Sequence, residues 1–439
     1  MPLLIVIAGI LLLLLLMLVF KLNAFLSFVI ASLAVGIAEG MPLEKAIASI
    51  ESGLGTTLGY VVIIIGFGAM LGKLVAESGA AQRITSRMIN AFGLKRVQLA
   101  VMLTGFIIGI PLFYDVGFVI LIPIVFTVAV SADLPLLYVG LPMLASLSVT
   151  HGYLPPHPAP TAIAQTFGAD IGKTMLYGLV IAVPAILLSG PVFYKLVKKV
   201  DAKPLQEFVS VKKLEDGEMP GLWTSIFSAL LPVILIGSST LFKSVLPEHS
   251  LAVEIAADLG DPAVAMLLSL LVATYTLGIA RGRNIADITQ SMTHSVASLT
   301  MVMLVIGGAG GLKQVLVDSG VSKYIGDVLS GTGISPLILG WLIATILRIF
   351  LGSATVAGMT AAGIVLPLVH GTGVSPELMV LAIGSGSLMT AHVNDGGFWL
   401  VKEYFGLSVK ETFQTWTVME TSIGVTGLVG VLVLNAFVS

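Results

Sequence analysis

Two short stretches of this chain gather side chains able to bind small polar solutes and to move protons. One is Thr150-His-Gly-Tyr-Leu-Pro-Pro-His-Pro-Ala-Pro160; the other is Ala391-His-Val-Asn-Asp-Gly-Gly397. Beside them, and beside the interruptions Pro111-Leu-Phe-Tyr-Asp115 and Gly352-Ser-Ala-Thr355, stand the hydroxyls and amide of Ser148, Thr150, Thr161, Ser353, Thr355 and Asn394. These groups both donate and accept hydrogen bonds. His151, His157 and His392 offer ring donors to a solute hydroxyl, although a histidine satisfied by a nearby carbonyl is just as ordinary. Asp395, inside the second stretch, is the preferred proton-coupled acid. Asp115 is the sole formal charge between Arg96 and Asp133, and suits either proton carriage or a plain N-cap. Arg348, alone between Asp327 and Glu377, suits either countering a solute carboxylate or pairing with an acid. Glu420, in the last apolar stretch, reads as a packing residue.

What positions these groups is a set of broken helices. Pro155, Pro156 and Pro158 cannot continue a helix. The runs 97–132 and 336–370 are each about twice one crossing and are interrupted midway, which reads as two re-entrant hairpins. Backbone exposed at such tips is tolerable only where it faces protein or a water-filled cavity. Four breaks meeting near the bilayer midplane would present helix N-termini, with free N–H groups, to an anion. With the hydroxyls nearby, that suits a small polyhydroxylated carboxylate better than a bare inorganic ion.

The bilayer itself follows from composition. Of 439 residues, 56% are hydrophobic, and only 22 Lys and Arg with 24 Asp and Glu carry charge. A mean hydropathy of +1.05 excludes a water-soluble globule. Net charge −2 and the absence of cysteine exclude a nucleic-acid binder, a disulfide scaffold and thiol chemistry. Charge-free windows long enough to cross recur along the whole chain, and the first, 2–20, lacks the cationic start and cleavage site of a signal peptide, so it reads as a retained helix. Lys195, Lys198, Lys199, Lys203, Lys212 and Lys213 mark the linker 198–219 as cytoplasmic, with Arg281 and Arg283 on the same side.

The chain also repeats. IIIGFGAMLGKLVAESGAAQRI from Ile63 aligns with LVIGGAGGLKQVLVDSGVSKYI from Leu304, placing Gly66 on Gly307, Glu77 on Asp318 and Gly79 on Gly320. After this block one half carries Arg83, Arg87, Lys95 and Arg96, the other only Lys323 with Asp327. Opposite basic bias puts equivalent segments on opposite faces, the mark of an inverted repeat in a secondary carrier. There is no Walker loop and no His-Glu-x-x-His helix, so neither an ATP-driven pump nor an intramembrane metalloprotease is indicated. An anion channel is the rival from another class, because broken helices also build selectivity filters.

LLYVGLPMLASLSVTHGYLPPHPAPTAIA from Leu136, ILRIFLGSATVAG from Ile346 and TGVSPELMVLAIGSGSLMTAHVNDGGFW from Thr372 resemble the gluconate permease (GntP) family of proton symporters, within the broader ion-transporter superfamily. The resemblance covers essentially the whole chain. It implies proton-driven uptake of gluconate or a related sugar acid across a bacterial inner membrane. It also implies a dimerising scaffold and a transport domain that moves like an elevator. Family members that take D-serine, fructuronate or idonate keep an organic-anion symporter as the alternative, and sodium coupling through backbone carbonyls stays open. Many members have proline at the position of Gly396 and glutamate at that of Asp115.

The resulting expectation is an all-α polytopic membrane protein and not an enzyme, an inverted repeat with two hairpins, two interrupted helices and about ten crossings, both termini outside. Residues 1–197 form the first half with hairpin 97–132 and interrupted helix 136–167. The cytoplasmic linker 198–219 follows, then 220–439 with hairpin 336–370 and interrupted helix 376–405. No cofactor or metal is expected; the partners are a small carboxylate, a proton, lipid and a second copy of the chain.

Overall fold

A computed structural model describes residues 2–203, 214–247, 250–297, 299–321 and 334–438. Lys212, Lys213, Glu248, Lys323 and Asp327 lie outside the described residues, as does the linker segment 204–213. Among the described residues every regular element is a helix. The first half contains α1 (Pro2–Leu18), α2 (Ala24–Ala38), α3 (Leu43–Glu77), α4 (Ala80–Phe92), α5 (Val97–Gly109), α6 (Tyr114–Ser131), α7 (Leu136–Tyr153), α8 (Pro158–Phe167) and α9 (Ile171–Val197). The second contains α10 (Leu222–Val245), α11 (Leu251–Gly260), α12 (Pro262–Arg281), α13 (Ile285–Ala297), α14 (Thr300–Asp318), α15 (Pro336–Leu351), α16 (Ala354–Thr372), α17 (Pro376–Gly386), α18 (Gly396–Tyr404) and α19 (Val409–Val438).

Among the described residues five helices, α9, α12, α14, α19 and Leu222–Lys243 of α10, are long and apolar enough to cross a bilayer. Up to seven spans result when α3 and the pair α4/α5, bent by 106° near Gly93, are each taken as one. The sequence count of ten includes charge-free windows in which the apolar helices are shorter than a full crossing, among them α1, α2 and α17.

Each division has a local cause. α7 ends at Tyr153 because Pro155 and Pro156 follow, and Pro158 opens α8 at a position whose N–H needs no partner. α15 ends on Gly352 at φ +68°, a left-handed C-terminal residue that glycine adopts without strain. Ser353 then caps α16, its hydroxyl accepting from Val356 N–H at 3.4 Å. Asp395 caps α18 in the same way, accepting from Phe398 N–H at 3.0 Å.

With no hydrophobic drive between helices in lipid, small residues set how closely they approach. A Cβ at Gly105 would stand 3.0 Å from the Met143 carbonyl oxygen and 3.1 Å from Ser146 Cβ, so α5 lies flush on α7. Gly109 meets Thr150 and Leu147 one turn on, and Gly72 meets Pro111 at the α5/α6 tip. Gly384 of α17 abuts the Gly152 carbonyl of α7, which sets the two interrupted helices back to back.

Glu77 and Asp318, superposed by the repeat, end α3 and α14 with parallel arrangements. Each takes a partner one turn earlier, Lys73 at 3.1 Å and Gln314 at 2.9 Å, and a distant serine, Ser291 at 2.7 Å and Ser49 at 2.6 Å. The end of the linker docks on α4 through buried Arg83, whose Nε donates to the Pro220 carbonyl at 2.8 Å while its two terminal nitrogens hold the side chain and carbonyl of Asp216.

Candidate functional site

Four helices start at the wall of one cavity of about 460 Å³. Phe113 to Val116 bring the N-terminus of α6, Pro158 that of α8, Ser353 to Thr355 that of α16, and Asp395 to Gly397 that of α18. The opening N–H groups of a helix have no partner within it, and the macrodipole places partial positive charge there. Pro158 and Pro160 remove two such donors from α8, so this end contributes mainly its dipole. α6 has no side-chain cap on its first turn.

The cavity wall also carries a guanidinium. Arg348, on the last turn of α15, is 2% exposed and pairs through Nη2 with Oδ2 of Asp395. Its Nε and Nη1 are buried without a hydrogen-bond partner. A guanidinium carries five N–H donors in a fixed fork, and a planar carboxylate matches that fork. Buried donors that stay unpaired are costly, so a ligand carboxylate that fills them gains more than the bonds alone.

Glu420 of α19, 1% exposed, lines the same cavity, and its carboxylate accepts a hydrogen bond from the Ser148 hydroxyl of α7. Asp115 sits in the first turn of α6 and is exposed to the same space, where the helix dipole favours an acid. Its hydrogen-bond role as an N-cap is not seen: the cap position is Phe113. His151 lines the cavity with a buried, unpartnered Nδ1, its ring against Tyr114 and His157. Trp416 and Tyr114 form an aromatic wall with ring centroids 5.5 Å apart.

Of the residues singled out from sequence, the cavity therefore gathers Asp115, Ser148, His151, Arg348, Ser353, Thr355 and Asp395. The others stand one layer back. Thr150 turns its hydroxyl to the Ser146 and Leu147 carbonyls at 3.0 and 2.9 Å. His157 engages the Gly109 carbonyl at 2.6 Å, tying the start of α8 to the end of α5. His392 and Asn394 both reach the Ile349 carbonyl at 2.9 Å, stitching the second break to the end of α15. Thr161 is fully buried with an unpartnered hydroxyl. Tyr114, Trp416 and Glu420 were not among the sequence candidates. The available signal was helical spacing: Trp416 and Glu420 lie four apart, on one face.

No group of three or more His, Asp or Glu among the described residues is placed to hold a metal. Helix N-termini, one guanidinium with unpartnered donors and acids share this space, a combination whose chemistry suits an anion and a proton.

A family model described as GntP family permease matches residues 1–438. The high-affinity gluconate transporter of Escherichia coli (strain K12) is 53% identical over 436 residues, covering 99% of each chain. The Gnt-II system L-idonate transporter of the same organism is 49% identical over 436 residues, again covering 99% of each. Among solved structures, the YdaH transporter of Alcanivorax borkumensis superposes with a TM-score of 0.64 at 16% identity, covering 94% of this chain and 97% of that one, which is a likeness of fold.

Proposed function

The chain belongs to the GntP family of permeases, multi-pass membrane transporters, and from that premise we propose that it imports gluconate or a closely related sugar acid across a bacterial inner membrane by proton symport. The observation that carries this reading is the convergence of four helix N-termini and the unfilled Nε and Nη1 of Arg348 on one cavity. The solute carboxylate takes the guanidinium and the uncapped α6 terminus. Its hydroxyls meet Ser353, Thr355 and His151. Thr150, Thr161, His157, His392 and Asn394 act from behind, holding the broken ends in place.

Gluconate is a monoanion, so import with one proton is electroneutral. Each uncompensated charge would instead couple to the membrane potential by about 2.3 kcal/mol per 100 mV. One pH unit supplies about 1.4 kcal/mol per proton. The carboxyls on the cavity, Asp115, Asp395 and Glu420, are the places for that proton. The order of elements, with a two-armed unit followed by an interrupted helix in each half, supports an inverted repeat, two re-entrant hairpins and elevator movement of α5–α8 and α15–α18 past a dimerising scaffold.

The test is purified protein in liposomes. Concentrative gluconate uptake under an inward pH gradient, with none under a sodium gradient at equal pH, is the expected result. Sodium-driven accumulation would replace the proton, and equilibration without accumulation would make the protein a channel.

A further inference from the structure

We propose that Glu420 is the group that takes up the co-transported proton, and that its charge sets the affinity of the cavity for the anion. The inference rests on the symport reading above and deepens it. Among the described residues Glu420 is the only carboxylate with so little exposure, 1%, and no Lys, Arg or His among them forms an ion pair with it. The nearest cation of the cavity is already matched, since Arg348 is bound to Asp395. A buried charge without a counter-ion is expensive, and a second anion entering the same low-dielectric space makes it more so.

Every charged or titratable group turned to this space is consistent with that assignment. α6 presents Tyr114 and Asp115, α7 presents His151, α15 presents Arg348, and the start of α18 presents Asp395. Tyr153 of α7 lies against the same helix but spends its hydroxyl on the Ile423 carbonyl at 2.5 Å. Of the charged residues of α9 and α17, Lys173 and Glu377 sit in the first turns of their helices, where Glu377 accepts from Ser375 at 2.7 Å, and Lys195, near the end of α9, is exposed and forms no ion pair with Glu420. Asp395 has its charge compensated and its second oxygen used as a helix cap; Glu420 has neither.

Ser148 completes the device. Its hydroxyl donates to the Glu420 carboxylate, and a hydroxyl accepts as readily as it donates, so the same contact serves both protonation states. Proton and anion then favour each other's binding by the same factor, as linkage requires. The acidic side loads both; the alkaline side releases the proton, restores the buried negative charge and expels the sugar acid.

The experiment compares wild type, Glu420→Gln, Glu420→Asp and Asp115→Asn in proteoliposomes, with gluconate counterflow as the check on folded, inserted protein. Wild type is expected to accumulate gluconate about tenfold per unit of pH gradient, the value for one proton per anion. Glu420→Gln is expected to show no accumulation, counterflow at a measurable rate, and a gluconate affinity that no longer varies between pH 5.5 and 8, figures that are only about the range in which the coupled proton exchanges. Glu420→Asp should recover part of the accumulation. In weakly buffered detergent solution, wild type should take up about one proton per gluconate bound and Glu420→Gln none. Accumulation by Glu420→Gln at the wild-type level, or unaltered proton uptake, overturns the proposal while leaving symport intact, and its loss in Asp115→Asn alone moves the role to Asp115. Wild type that ignores a pH gradient overturns the symport reading and this inference with it.

Discussion

Arg348 and Asp395 come from different interruptions and meet: the guanidinium ending α15 binds the carboxylate that caps α18. Asp395 divides its oxygens, Oδ1 taking Phe398 N–H at 3.0 Å and Oδ2 taking Arg348 Nη2. The pair thus fixes where α18 begins relative to α15 and holds Arg348 in the cavity wall with Nε and Nη1 unpartnered.

Removing one member of a buried pair leaves the other uncompensated, at about 3–5 kcal/mol. Arg348→Ala is therefore expected to lower the melting temperature strongly and to abolish gluconate binding. Arg348→Lys keeps the charge and a contact to Asp395 but loses the fork. Its thermal stability should fall less, while its gluconate affinity in a calorimetric titration drops by at least about tenfold, near 1.4 kcal/mol. Equal affinity in Arg348→Lys and wild type would show that the carboxylate is held elsewhere.

Gly352 offers a sharper steric test. It sits at φ +68°, and a Cβ there would run into the Asn394 carbonyl of the facing break. A left-handed conformation costs a non-glycine residue about 1–2 kcal/mol before any clash. Gly352→Ala should accordingly separate the two breaks and eliminate uptake. Ser353→Ala, next door, only removes a cap and should cost about 1 kcal/mol with reduced uptake. Comparable uptake by Gly352→Ala and wild type would contradict the contact.

At α4, the linker anchor separates a buried from an exposed partner. Arg83 is 7% exposed at its side chain and Asp216 is 78% exposed. Arg83→Ala strands the Pro220 carbonyl and loses charge-assisted bonds worth about 1.5–3 kcal/mol each, so thermal stability should fall and trypsin should cut the linker faster. Asp216→Ala leaves the backbone carbonyls of Asp216 and Pro220 in place for Arg83, and should change stability by no more than about 1 kcal/mol.

How much of this was readable beforehand depends on range. Breaks at Pro155, Gly352 and Asp395 are written in adjacent residues, because proline, a left-handed glycine and a capping acid act on their own backbone, and these were legible. Pairings across the chain were not. Ser148 and Glu420 are 272 positions apart, and the local signal at Glu420, its four-residue spacing from Trp416, fits a packing residue equally well. Arg348 has two readings from sequence, ion pair or carboxylate receptor; the fold shows the ion pair through Nη2 and leaves Nε and Nη1 without a partner for the second role proposed above. Thr150, expected beside the solute, is not among the residues lining the cavity. A threonine inside a helix far from water satisfies itself on the preceding turn, as it does here on Ser146 and Leu147.

The orientation of the two halves has its own decisive measurement. The chain contains no cysteine, so single cysteines report without a prior cysteine-less background. Arg87 follows the first copy of the repeat and Lys323 the second, and an inverted repeat places them on opposite faces. In right-side-out vesicles a membrane-impermeant maleimide should label Lys323→Cys directly, and Arg87→Cys only after the vesicles are opened. The contrast in basic residues that motivates this is not decoration: the first copy is followed by Arg83, Arg87, Lys95 and Arg96, and such clusters stay on the cytoplasmic side during insertion. Labelling of both cysteines from one side would make the repeat parallel. The four helix N-termini would then still line their cavity, but the two halves could not exchange roles between inward- and outward-facing states, and elevator transport would lose its symmetry basis.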